Sequence, residues 1–230
     1  MALGRISDHS KNAKRKHFLT GLKGDRSLGT YALDLFDWFI KETEDTWAKL
    51  DAEEQKYINE QIAAGGEEMN DSGVFAVAYY RKRMRYAHVI FLASLLEGAM
   101  KRECERLTIA LGDKVLFKPA ELKGDPWTAR RVFLERHAAF QIPDCKWGSI
   151  KDLLAVRNAL VHHNGEISLL AQQQVASLRK ITGVVLECSE IGIDASYLDL
   201  AQESVRNVME FIHERTNAVI DCAVKPQAVP

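Results

Sequence analysis

The sequence predicts an all-α fold, a helical bundle that carries a small β-hairpin near residues 183–193 and a helical extension on its N-terminal side. Three observations predict it. Residues 74–111 form a proline-free run with apolar residues at helical spacing, closed by Gly112. Residues 149–165, SIKDLLAVRNALVHHNG, read as an amphipathic helix with a capping serine in front and Asn-Gly behind. The short β-branched segments, GVVLEC at 183–188 and Ile191–Ile193, are separated by Ser189-Glu190 and suit a small hairpin.

Taken in order, residues 1–26 hold seven Lys/Arg against two acids and read as a basic arm, with Lys14-Arg15-Lys16 as its nucleic-acid-touching part if it has one. Residues 27–70 read as an acidic helical extension. Its first helix runs from Leu28 to Leu50, with Leu35, Trp38, Phe39 and the neighbouring Tyr31 on one side. Asp51 looks like the cap of a second, shorter helix, with Glu54 in the capping-box position and Gly65-Gly66 as its stop. Nine acids between Lys41 and Glu68 make this hairpin either a solvated face or a surface for a basic partner.

Residues 71–222 then form the main helical domain. The long helix carries Arg81, Lys82, Arg83 and Arg85 in its first half, and the nearly all-apolar VIFLASLLEGAM after them. Glu97 is the one carboxylate within that apolar stretch, and a buried carboxylate needs a cation or a raised pKa. Asp125-Pro126 is a clean helix start for Trp127–Phe140, with Val132, Phe133, His137 and Phe140 on its inner side. Residues 142–148 read as a loop leading into the next helix, with Trp147 placed to wall the site that helix carries. Beyond Gly165 come a helix over Leu169–Ile181, the hairpin, and a last helix over Tyr197–Val219 capped by Ser196, before a tail at 223–230.

The 149–163 helix contains an anomaly. Ile150, Leu153, Leu154, Leu160 and Val161 fall within about 60° of one line, and that line passes through Arg157. A guanidinium there needs a partner. Asn158 and His162 are four apart and stack on the flank of the stripe, with His163 beside them. These residues also fit a structural role, with Arg157 in an internal ion pair and the histidines over the last carbonyls.

Arg157-Asn158-x-x-x-His162 resembles the R-x(4–6)-H motif of HEPN domains, here in its R-N-x-x-x-H form, and the similarity covers roughly residues 74–220. HEPN domains are helical bundles, and many are metal-independent ribonucleases found among toxins and antiviral effectors. Others bind a nucleotide or a protein partner without cleaving anything. The resemblance implies a site of Arg157, Asn158 and His162, with Glu97, Ser94 and His163 in support and Glu97 as the counter-ion of Arg157. It also implies a homodimer that brings two motif helices together, an RNA substrate, and control by an antitoxin or other regulatory protein.

The chemistry is self-consistent. An imidazole can move a proton at neutral pH, a guanidinium can meet charge growing on phosphate oxygens, and together they suit attack by a 2′-hydroxyl. No HExxH, paired-carboxylate, Walker or GxSxG pattern competes, and neither a metal nor a cofactor is expected. The net charge of -1 argues against non-specific coating of nucleic acid. Four cysteines without a CxxC read as reduced, and with polar, basic opening residues the expected location is cytoplasmic. The apolar run 89–96 is too short to span a membrane.

Overall fold

The computed structural model describes residues 28–65 and 72–224. The basic arm, Gly66 and the 225–230 tail lie outside them. The described chain is α-helical apart from one hairpin: α1 (Leu28–Ala63), α2 (Ser72–Leu111), α3 (Pro126–His137), α4 (Asp144–His163), α5 (Gln172–Leu178), β1 (Val184–Glu187), β2 (Glu190–Ile193) and α6 (Ala195–Val224). Short 3-10 turns occupy Gly112–Lys114, Pro119–Glu121 and Ile167–Leu169. Among the described residues no helix is long and apolar enough to cross a membrane.

The expected break at Asp51 does not occur, and α1 runs unbroken for 36 residues to a stop at Gly65, whose φ is 77°. Asp51 is a tolerable interior helix residue, and no glycine or proline lies nearby to end the helix. The inner face of α1 also differs from the expected one. Leu33, Phe36 and Ile40 are buried, while Leu35, Trp38 and Phe39 are 45–62% exposed. Both sets have helical spacing, so periodicity alone could not choose between them. The long helix α2 is continuous past Gly98 for 40 residues, about 60 Å, and ends at Gly112 with φ 56°. Its apolar stretch is buried at Val89, Leu92, Ala93, Leu96 and Met100, but Phe91 is 45% exposed.

The chain forms two compact units that interleave along the sequence. One comprises Leu96–Trp147 and the chain from Arg206, with the described residues up to Tyr31; the other comprises Ala32–Leu95 and Gly148–Val205. In the first unit, Leu107, Phe133, Leu134, Ile142, Val208 and Ile212 are buried. Of the inner side expected for α3, Phe133 is buried and His137 half-buried, while Val132 is 40% exposed. His137 Nε2 accepts from the Leu116 amide at 3.0 Å and its Nδ1 lies 3.0 Å from the Phe133 carbonyl, with the ring against Phe117 and Phe133.

In the second unit, the core is built from α1, the first half of α2, α4, the hairpin and the start of α6, with Leu33, Val89, Ile150, Val156, Ile191 and Leu198 inside. The hairpin pairs Val184 with Ile193 through Glu187 with Glu190, so its turn is Cys188-Ser189, one residue earlier than expected, with Cys188 at φ 50°.

Two carboxylates neutralise the basic ladder of α2 within this second unit. Glu44 receives Arg81 at 2.9 Å and Arg85 at 2.5 and 2.7 Å, and Glu190 receives Lys82 at 2.7 Å and Arg83 at 2.9 Å. Burial works against the charged form of Glu44, but hydrogen bonds from Arg85 and Arg81 outweigh it and hold the carboxyl below its ordinary range. His88 lies nearby, edge-on to Phe36 and Phe39 and 2% exposed, with no hydrogen-bond partner for either ring nitrogen among the described residues. Burial pushes its pKa down, so the ring is held neutral.

Both groups bind protons more tightly in the unfolded chain, so both make folding weaker as pH falls. His88 acts first, below its ordinary value of 6.5. The Glu44 contribution is full above 4.5 and disappears as pH drops through the lower folded-state value. Glu44→Ala leaves two guanidinium groups facing each other with side chains 28% and 15% exposed, and it should cost about 3 kcal/mol at pH 7. Urea unfolding of both proteins from pH 7 to pH 3 checks this, with the gap between them expected to close below pH 4.5.

Candidate functional site

Helix α4 carries Arg157, Asn158 and His162. It starts five residues before Ser149, so residues 144–148 are helix rather than loop, and Ser149 is not the cap. Pro143 sets the start: its carbonyl accepts the Trp147 amide at 3.0 Å, and Asp144 supplies an acid to the first turn. Trp147 is 4% exposed under the Arg131 guanidinium, 5.0 Å from the ring centre, and this contact anchors the extra turn.

The other end of α4 stops where the sequence places it. Asn164 at φ 51° and Gly165 at φ 77° leave the helix, and the Gly165 amide reaches back to the Ala159 carbonyl at 3.2 Å. The hairpin then locks the turn. Ile191 donates to Gly165 at 2.8 Å, Ile167 donates to Ser189 at 2.8 Å, and the buried Tyr86 hydroxyl donates to the Ile191 carbonyl. Arg83 completes the lock through Nη1, 3.2 Å from the Asn164 carbonyl, and Nη2, 2.9 Å from Glu190.

The buried face of α4 is Ile150, Leu153, Val156, Ala159 and Leu160, rotated from the expected stripe. Arg157 therefore stands at the edge of the apolar face rather than at its centre, and Val161 is 42% exposed. The rotation follows from Val156 and Ala159, which join the core and displace Leu154 and Val161 toward solvent. Arg157 Nη1 donates to Asn158 Oδ1 at 2.9 Å. Asn158 and His162 are both exposed, and His163 is half-buried, with its carbonyl accepting the Glu166 amide at 2.8 Å. The three motif residues thus lie on the open side of one rigid helix. One guanidinium nitrogen is held by the amide oxygen, which leaves the other donors of the fork and the Asn158 amide nitrogen for a ligand.

Two expected supports are corrected. Glu97 is not a buried lone carboxylate: its side chain is 45% exposed, and its counter-ion is Arg130 at 3.0 Å. Ser94 is exposed and spends its hydroxyl on the Ile90 carbonyl at 2.9 Å. The buried carboxylate of α2 is instead Glu103, 7% exposed, which has no place in the expected site. Glu103 meets His213 Nδ1 at 3.0 Å and Arg106 Nη1 at 2.5 Å, and His213 Nε2 lies 3.0 Å from Asn217 Nδ2, beside a small cavity of about 90 Å³. Both ring nitrogens of His213 are engaged, so this network is a closed structural one. Its signal in the sequence is the pair of helical spacings, Glu103 to Arg106 and His213 to Asn217.

All four cysteines are free, with Cys104 buried and the other three exposed. Among the described residues no group of three or more His, Cys, Asp or Glu is placed to hold a metal ion. No family model matches the chain, and neither a curated protein nor a solved structure matches it.

The turn after α4 makes a sharp prediction. A Cβ on Gly165 would lie 2.6 Å from the Tyr86 hydroxyl, at a φ that L-residues adopt only with strain. Gly165→Ala should cost at least about 2 kcal/mol. It should also speed hydrogen exchange at the Ile191 amide, which donates to Gly165, more than at the buried turns of α4; equal protection at both places would refute the locking role.

Proposed function

We propose that this protein is a metal-independent endoribonuclease of HEPN type. Its nearest competitor is a HEPN-type module that binds a protein or nucleotide without cleaving it. The observation that carries the reading is the Arg157–Asn158 hydrogen bond, which holds a guanidinium and an amide on the exposed side of α4, with His162 one turn beyond Asn158.

His162 takes the proton from a ribose 2′-hydroxyl as that oxygen attacks the neighbouring phosphorus. Arg157 meets the charge that builds on the non-bridging oxygens, and Asn158 fixes the guanidinium and offers its amide N–H to the phosphate. The 5′-oxygen leaves, giving a 2′,3′-cyclic phosphate and a 5′-hydroxyl. One imidazole cannot serve well as both base and acid in the same step, so the second proton-handling group comes from a second copy. Half-buried Leu154 and exposed Val161, within about 60° of Arg157 around the helix, supply apolar surface for such a two-fold contact. His163 caps the helix end in this reading.

The binding-module reading is favoured by one observation. Arg81, Lys82, Arg83 and Arg85 are all engaged by Glu44 and Glu190, so the most basic stretch of the described chain offers little to a long RNA. A nuclease built this way recognises a short stretch around the scissile phosphate.

The test is cleavage of labelled RNA in EDTA with end-group analysis. Wild type should give 2′,3′-cyclic phosphate ends and leave DNA intact. His162→Ala should lose about 10²–10⁴-fold in rate with RNA binding largely kept. Arg157→Lys should rescue little over Arg157→Ala, because an ammonium lacks the planar fork. A 3′-hydroxyl product, a metal requirement or an undiminished His162→Ala would overturn the mechanism. Binding of RNA or nucleotide with no cleavage would favour the module. Light scattering at micromolar concentration should give the mass of a dimer, and a strict monomer would remove the two-fold site.

A further inference from the structure

The C-terminal part of α2 presents one side chain after another to a single line: Lys101, Cys104, Glu105, Thr108 and Ile109 follow each other at steps of three, one, three and one. Facing them within the same compact unit are the connection around Pro119 and Leu122 and the start of α3 at Pro126 and Ala129. Between the two walls is a cavity of about 760 Å³, within the range of roughly 300–1,000 Å³ that small-molecule sites occupy. The cavity near His213 is about 90 Å³, which is too small for an organic ligand.

The walls are mostly apolar. Ile109, a large β-branched side chain in the lining, remains 43% exposed. The floor is dry. Cys104 is 5% exposed, and burial pushes its thiol up to about 12, so it stays protonated and does not act as a nucleophile. The charges in the lining are lopsided. Lys101, Lys118 and Arg130 face only one carboxylate, Glu105, and Glu97 takes up one further positive charge at Arg130. Lys101 and Lys118 have no ion-pair partner among the described residues, so both ammonium groups are open to an anionic ligand.

We propose that this cavity binds an apolar monocarboxylate, its hydrocarbon body lying against Ile109, Leu122 and Pro126 and its carboxylate taken by Lys101 and Lys118. A cationic amphiphile would meet an excess of like charge. A carboxylate without a hydrocarbon body would leave the apolar walls wet and gain little from two solvated lysines. The site is separate from Arg157 and His162 in sequence and chemistry, and it does not depend on the ribonuclease reading.

The experiment is calorimetric titration of the full chain with decanoate, acetate and decyltrimethylammonium, each well below its micelle concentration. Decanoate should bind saturably with one site per chain, and the other two should bind at least tenfold more weakly. Ala120→Trp, at an exposed position, should fill the cavity and lower decanoate affinity at least tenfold. Lys101→Glu combined with Lys118→Glu should reverse the preference toward decyltrimethylammonium. Circular dichroism and Tm verify that each variant is folded. Hydrogen exchange on wild type gives a measurement independent of any variant, with decanoate expected to slow exchange across residues 116–124 selectively. Several results would overturn the site: no saturable binding, more than one decanoate per chain, equal affinity for the two amphiphiles, unchanged affinity in both variants, or protection spread evenly over the chain.

Discussion

Four cations within five residues of one helix would repel each other strongly if left alone, and the second unit is arranged around preventing that. Glu44 comes from α1 and Glu190 from the hairpin, and each takes two of the four. The division follows helix geometry. Arg81 and Arg85 are four apart and reach the same carboxylate, while Lys82 and Arg83 point to the other side. These pairs tie α1 and the hairpin to α2 with direction as well as strength, because a guanidinium fork accepts a carboxylate in few orientations. With side chains 14–28% exposed, they have lost much of their water, and removing either acid leaves cations that solvent cannot fully compensate.

The candidate site inherits its rigidity from that arrangement. Arg83 holds Glu190 and also contacts the residue that ends α4. Glu190 in turn sits on the strand whose Ile191 amide closes the Gly165 turn. A chain of contacts therefore runs from the charge pairs to the end of the helix that carries His162. The motif side chains themselves are left toward solvent. The proposed reaction would need a fixed backbone beneath His162 and room for a ligand above it, and the exposed side of α4 meets both needs.

The same pairing shapes what the protein can bind. A run of Arg and Lys in a sequence ordinarily signals a nucleic-acid surface, but here most of that charge is consumed internally. Among the described residues, Arg157, with one nitrogen on Asn158, and the cavity lysines Lys101 and Lys118 lie outside those ion pairs. The proposed phosphate beside Arg157 and the proposed carboxylate in the α2–α3 cavity would each be met by these side chains rather than by the paired ladder of α2. A net charge of -1 fits that economy.

Much of this was legible in the sequence, and the rest was not, for physical reasons that differ from residue to residue. The helical class, the hairpin, the Asp125-Pro126 start and the Asn164-Gly165 stop are set by local chemistry, since capping, ring geometry and φ > 0 act within a few residues. The spacing that puts Asn158 and His162 one turn apart is likewise local. The start of α4 at Asp144 depended on Trp147 finding Arg131, which no local rule encodes. Which stripe of α1 faces inward, and where Arg157 stands relative to the buried side of α4, were decided by packing, because two apolar stripes of equal periodicity compete until a partner surface covers one of them. The pairing of Glu97 with Arg130, the burial of Glu103 with His213, and the division of four cations between Glu44 and Glu190 join residues 33 to 110 positions apart. Charge complementarity makes such pairs favourable but does not say which will meet, and only the tertiary fold brings the partners within reach.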